Sequence, residues 1–186
     1  MKKYQIIYAD PPWKYDSKEL QKYNGERFTS MNKHYKTQDK EWIKKLPISS
    51  ITNDDCALFM WSTDSHIPEA LEVMRAWGFK YITIAFVWEK KTAKGKTVAN
   101  LGAWTMKNYE ICLLGTKGRM LKYKKINNVY QKIEAIRTAH SKKPLQARKN
   151  IELLFGDIPR IELFAREKHT GWDSWGNEIE SDIELS

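Results

Sequence analysis

The chain has 186 residues, 41% apolar and 12% aromatic, which is enough for one domain with a substantial core and too apolar for a disordered segment. Thirty-two Lys and Arg against 23 Asp and Glu leave a net charge of +9 and a pI near 9.4, favouring a polyanionic partner, nucleic acid before an anionic membrane surface. Two cysteines and four histidines exclude a disulfide scaffold and form no zinc spacing, and no apolar run reaches signal or transmembrane length, so a cytoplasmic protein with no metal is expected.

Tyr4-Gln5-Ile6-Ile7-Tyr8 reads as a short buried strand, and Pro11-Pro12 stop it, because neither proline can donate to a ladder. Ala9-Asp10-Pro11-Pro12-Trp13 therefore sets a carboxylate, a stiff turn and a large ring at the carboxyl end of a strand. That edge is where open α/β sheets bind ligands. Such a corner suits the exocyclic amine of a nucleobase. Asp10 would accept one amine hydrogen, a proline-fixed carbonyl the other, and Trp13 would stack on the base at ~1–3 kcal/mol. A β-turn beside a core tryptophan is the competing reading.

Residues 14–36 are polar, aromatic and unperiodic, which fits a substrate-facing lid or a plain surface loop. Thr37 can cap a helix over 38–46, with Trp42, Ile43 and Leu46 inward and Pro47 at its end. Cys56-Ala57-Leu58-Phe59-Met60-Trp61 is a buried central strand, and Cys56 and Cys112 are read as buried thiols. Ser65 reads as the cap of a helix carrying Ile67, Leu71 and Met74 on one face, with Gly78 as its stop. Residues 79–88 are the next strand, and strand, helix, strand implies a parallel sheet covered by helices.

Residues 89–107 form a second loop with Lys90, Lys91, Lys94, Lys96 and Trp104; Lys90 either follows the strand to the catalytic rim or is solvated. Glu110–Leu114 is a strand and Gly115–Gly118 a turn. Residues 117–125 hold a basic cluster, including Lys122 and Lys124 around Tyr123, suited to a nucleic-acid groove or to a solvated face. A helix over 144–155 closes at Gly156, and 161–165 is a strand. Residues 171–178 are rich in turn formers and rings, and residues 179–186 are a loose acidic tail beyond a single domain over 1–178.

Taken in order, Ala9-Asp10-Pro11-Pro12-Trp13, His34-Tyr35, Leu58-Phe59-Met60-Trp61, Trp77-Gly78-Phe79, Trp88-Glu89-Lys90, His140-Ser141-Lys142-Lys143-Pro144, Glu162-Leu163-Phe164-Ala165-Arg166 and Gly171-Trp172-Asp173-Ser174-Trp175-Gly176-Asn177-Glu178 resemble the MT-A70 family of adenine methyltransferases. That family includes the catalytic subunit of the eukaryotic messenger-RNA methylating complex and bacterial and phage enzymes acting on DNA. The resemblance implies a Rossmann-like methyltransferase fold, with a mostly parallel twisted sheet, helices on both faces, and S-adenosylmethionine as methyl donor. It implies that Asp10, Pro11, Pro12 and Trp13 hold the target adenine; His34 and Tyr35 either close over it or anchor the loop by packing. Asp10, Lys143, Glu162, Arg166, Asn177 and Glu178 would meet the cofactor, Lys143 at its methionine carboxylate and Asn177 and Glu178 at its ribose.

Lys90, Lys122 and Lys124 would hold the nucleic-acid backbone. DNA is favoured over RNA, with methylation of RNA and a catalytically silent nucleic-acid-binding scaffold as the alternatives. A second copy or a partner subunit would help so small a basic protein cover its substrate, though no residue pattern demands one. The familiar glycine-rich turn near the N-terminus is absent, and Phe164-Ala165-Arg166 stands where many methyltransferases carry Phe-x-Gly.

Overall fold

The computed structural model describes residues 2–14, 38–102, 104–138 and 142–185. Among these residues, seven strands form one sheet: β1 (Tyr4–Ala9), β2 (Thr52–Ser62), β3 (Lys80–Lys91), β4 (Tyr109–Lys117), β5 (Lys132–Ile136), β6 (Arg160–Leu163) and β7 (Asp173–Trp175). Their spatial order is β5-β3-β4-β2-β1-β6-β7. The pairs β1–β2, β1–β6, β6–β7 and β3–β5 are parallel, whereas β4 runs against both of its neighbours, β2 and β3. The expected strand-helix-strand unit is present but opened. β2 and β3 point the same way, and β4 has slipped between them.

Among the described residues, three helices cover the sheet: α1 (Lys40–Lys45), α2 (Ile67–Ala76) and α3 (Leu145–Phe155). Strand alternation divides the core between the two faces. Ile7, Leu58 and Met60 pack with Ile43 of α1 and Ala70, Val73 and Met74 of α2. Tyr8, Phe59 and Trp61 pack on the other face with Ala147, Ile151 and Phe155 of α3. Each aliphatic or phenyl side chain so buried contributes about 1.5–3 kcal/mol. This is the Rossmann-like layering that the motifs imply.

Several local expectations are corrected. The cap of α1 is Asp39, whose Oδ1 accepts the Glu41 N–H at 2.9 Å; Thr37 lies outside the described residues. Trp42 is 40% exposed, so Ile43 alone is fully buried on the inner face of α1. A 3-10 turn, Asp64–His66, leads into α2 and puts His66, not Ser65, at the cap position. Gly78, with φ of 83°, does end α2: its N–H donates to the Arg75 carbonyl and the Phe79 N–H to that of Met74, both at 3.0 Å.

β4 continues through Gly115 where a turn was expected. A Cβ there would lie 2.6 Å from Met74 Sδ, so the glycine admits α2 against the strand. The short strand β5 went unread because Ile133 is its one buried residue and leaves little alternation to detect. The acidic tail is docked, not loose. Asp182 accepts the Ser174 N–H and the Lys168 ammonium, and Ile183 and Leu185 pack on the core. Both cysteines are free and buried, and burial pushes the Cys56 thiol up to about 12. Among the described residues, no helix is long and apolar enough to cross a membrane and no three metal-ligating side chains gather.

Candidate active site

Parallel strands carry their carboxyl ends to one edge, and the reversed β4 brings its amino end to the same place. Asp10 after β1, Lys90 at the end of β3, Glu110 at the start of β4, Phe164–Arg166 after β6 and Gly176–Glu178 after β7 therefore share that edge. Lys143, two residues before α3, completes the centre. Its Nζ lies 2.7 Å from Asp10 Oδ2 and 3.1 Å from Glu110 Oε2, and sits over the Trp61 ring at 5.7 Å. The other Glu110 oxygen accepts from Lys90 Nζ at 2.5 Å.

Two carboxylates and two ammonium groups make a cluster that is neutral when all four are ionised, which is what lets the edge bury them. Lys143 is only 8% exposed. Burial alone would lower its ammonium, but Asp10 and Glu110 outweigh burial and hold it protonated well above the usual lysine range. Burial raises the Asp10 carboxyl against the opposing charge of Lys143. At Glu110 burial works in the same direction, yet Lys143 and Lys90 win and keep it below the usual range.

The Asp-Pro-Pro-Trp corner is built as a tight turn. The Pro11 carbonyl accepts the Trp13 N–H and the Pro12 carbonyl the Gln38 N–H, both at 2.9 Å, which leaves each oxygen one lone pair. Trp13 is 7% exposed, donates through Nε1 to the Trp61 carbonyl at 3.1 Å and stacks on His66 at 5.9 Å and 18°. The ring is a corner post with one face covered by His66, where an open platform for the base was expected. His66 is fixed in turn by Thr63 Oγ1 at 2.8 Å and the Lys14 carbonyl at 3.2 Å.

Behind β6, Arg148 of α3 grips Glu162 with two bonds, 2.7 and 2.8 Å, and lies over the Tyr8 ring. Both oxygens of Glu162 are thereby taken. Replacing Arg148 with Met should strand a buried carboxylate and lower stability by about 3–5 kcal/mol. The double variant Arg148→Met with Glu162→Leu should recover most of that loss. Thermal melts of both read the result, and equal melting of the single variant and the wild type would remove the pair from the account.

At the end of β6, Phe164 adopts φ of 61°, a left-handed conformation that a non-glycine residue holds only under constraint. Its ring meets Trp175 edge-on at 5.5 Å, and the next N–H, of Ala165, donates to the Trp175 carbonyl at 3.0 Å. Gly176 fits so closely that a Cβ would lie 2.1 Å from the Ala165 carbonyl oxygen, and this contact brings the 176–178 loop onto the end of β6. Arg166 and Glu178 meet there at 3.5 Å, and Asn177 is exposed.

The edge thus gathers Asp10, Lys90, Lys143, Arg166, Asn177 and Glu178. It does not gather Lys122 and Lys124. These follow the far end of β4, where Lys122 pairs with Asp55 at 2.6 Å, on the side of the sheet opposite Asp10. His34 and Tyr35 lie outside the described residues. Sequence reasoning missed three residues. Glu110 was absorbed into a strand, although a lone acid opening an apolar run is a signal. Arg148 sits among Ala147 and Ile151 on the inner face of a helix. His66 stands in a short polar run, Thr63-Asp64-Ser65-His66, with nothing local to mark its contact with Trp13.

The MT-A70 family model matches residues 4–178. The chain is 37% identical to the Type II methyltransferase M.MunI of a Mycoplasma species, over 96% of this chain and 78% of that protein. It is 28% identical to the human N(6)-adenine-specific methyltransferase METTL4, over 96% of this chain and 38% of that protein. A probable N(6)-adenosine-methyltransferase MT-A70-like of rice is 26% identical, with 94% of this chain and 23% of that protein covered. The chain thus spans under two-fifths of the human and rice proteins. A family match over nearly the whole length, together with the 37% identity to M.MunI, shows that this chain belongs to the MT-A70 family.

Proposed function

We propose that the protein transfers a methyl group from S-adenosylmethionine to the 6-amino group of adenine in DNA. The observation that carries this reading is the Asp10–Lys143–Glu110 cluster beside the Pro11-Pro12 turn, at the carboxyl edge of the sheet. The amine lone pair is delocalised into the purine ring, so the nitrogen must be turned towards tetrahedral geometry before it can attack. Asp10 Oδ2 is held by Lys143, which leaves the other carboxylate oxygen to accept one amine hydrogen. A proline carbonyl with a remaining lone pair accepts the second. Bound there, the donor would supply an electrophilic methyl and leave as a neutral thioether; Asp10 orients and polarises the amine without first removing its proton, which leaves the methylated nitrogen afterwards through Asp10 to solvent. The rate then comes mainly from alignment.

The residues present suit this donor. Lys143 uses two of its three N–H donors on Asp10 and Glu110, and the third can take a carboxylate. The two acids offer acceptors to an ammonium group in return. Glu178 and Asn177 are exposed beside Arg166 and can bond vicinal hydroxyls. Glu162 touches no donor in this reading; it fixes β6 to α3 through Arg148. Identity to a bacterial Type II methyltransferase over 78% of its length supports DNA as the acceptor. Labelled S-adenosylmethionine offered with duplex DNA, single-stranded DNA and RNA in parallel tests the substrate. Incorporation into DNA is expected, and incorporation into RNA alone would overturn that assignment.

A further inference from the structure

Between Lys90 and Tyr109 the chain leaves the catalytic edge and returns as a hairpin arm. Lys91 bridges Thr97, and Asn100 and Lys107 exchange two backbone bonds of 2.8 Å. The root of the arm is pinned to the active site on both sides. Lys90 bonds Glu110, Thr97 Oγ1 donates to Glu89 at 2.7 Å, and Lys107 Nζ reaches Asp64, just beyond β2, at 3.0 Å. Residues 90–109 contain five lysines and no acid.

The arm also concentrates exposed apolar surface. Of twelve large hydrophobic residues exposed among the described ones, four fall within nine residues of the arm: Leu101 at 74%, Trp104 at 84%, Met106 at 55% and Tyr109 at 46%. Lone exposed hydrophobics need no explanation, but a cluster on a lysine-rich projection beside a catalytic centre does. Lysines match a phosphate backbone, and an indole matches a base stack.

We propose that this arm docks on duplex DNA and that Trp104 wedges into the base stack, filling the space left when the target adenine turns out towards Asp10. The inference rests on the adenine methylation proposed above. A base inside a duplex cannot reach a corner as enclosed as Asp10 and Pro11 without leaving its stack. Apolar wedges offset that unstacking in other DNA-deforming proteins. The exposed Lys94 and Lys96 hold the backbone while Trp104 replaces the lost stacking partner.

The test uses the full-length protein, with 2-aminopurine at the target position of a duplex as the reporter of an extruded base. In Trp104→Ala the fluorescence rise should be lost and methyl transfer to duplex DNA should fall about tenfold or more. Transfer to single-stranded DNA should fall by less than about threefold, since there is no stack to open. Trp104→Phe should restore much of the duplex signal, and a mismatch opposite the target should rescue Trp104→Ala. Equal losses on single and double strands would overturn the wedge. So would a change from dimer to monomer on size-exclusion chromatography together with equal losses, because that assigns the arm to a protein interface. A Trp104-dependent fluorescence rise in a protein that methylates no DNA would keep the arm and remove the reaction.

Discussion

Replacing Asp10 with asparagine is expected to cut methyl transfer by a factor on the order of 10²–10³ while leaving the protein folded. The two halves of this expectation have separate causes. The asparagine amide is nearly isosteric with the carboxylate and still offers one acceptor, so the turn and its packing survive. Lys143 keeps Glu110 at 3.1 Å, so no buried ammonium is left unpaired. What disappears is the negative charge beside the amine, together with the acceptor that would turn its nitrogen. Donor binding, followed by calorimetry, should change far less than turnover. Normal turnover in this variant would remove Asp10 from the chemistry, and a large drop in melting temperature would mean that its role is structural.

Lys143→Met should have a larger effect on stability and an equally severe one on activity. Removing the ammonium leaves the Asp10 and Glu110 carboxylates without their shared counter-charge in a buried site, a loss of about 3–5 kcal/mol. Glu110 retains Lys90, so most of the strain falls on Asp10. The Asp10 carboxyl is already raised by burial against the pull of Lys143, and without that pull it rises further. A carboxyl whose folded-state value is raised binds more protons folded than unfolded, so stability is retained at low pH and lost as pH rises through the folded value. The variant should therefore melt closest to the wild type in mildly acid buffer and fall further behind as the buffer becomes alkaline. A difference in melting temperature that does not vary with pH would contradict the buried ion-pair account.

The parts of this molecule legible from the chain alone were those with a local physical cause. Two prolines stop β1, and an uninterrupted apolar run makes β2 a central strand. A Schellman turn at Gly78 closes α2, and a left-handed glycine at position 156 closes α3. Strand order was less accessible, because inserting β4 between β2 and β3 is a long-range decision that no single window records. The site divides in the same way. Asp10 and Lys143 were read from their motifs, but their direct contact joins residues 133 apart in sequence.

Glu110 illustrates the limit. One acid at the start of an apolar strand becomes significant only once the antiparallel register of β4 brings it to the edge that carries Asp10, between Lys90 and Lys143. Lys122 and Lys124 illustrate the converse. Composition suggested a nucleic-acid groove, whereas the direction of β4 carries them to the opposite edge, away from Asp10. Charge is a property of the sequence, and its direction is a property of the fold. Trp13 was legible as an aromatic at the corner, but not as a ring with one face taken by His66.

The most direct test of the central claim is the identity of the methylated nucleoside. DNA incubated with the protein and labelled S-adenosylmethionine would be digested to nucleosides and separated, with the Asp10→Asn protein run beside the wild type. The label should appear in N6-methyldeoxyadenosine and be nearly absent with the variant. Label in a methylated cytosine, or equal label from both proteins, would contradict the assignment of Asp10 to the adenine 6-amino group.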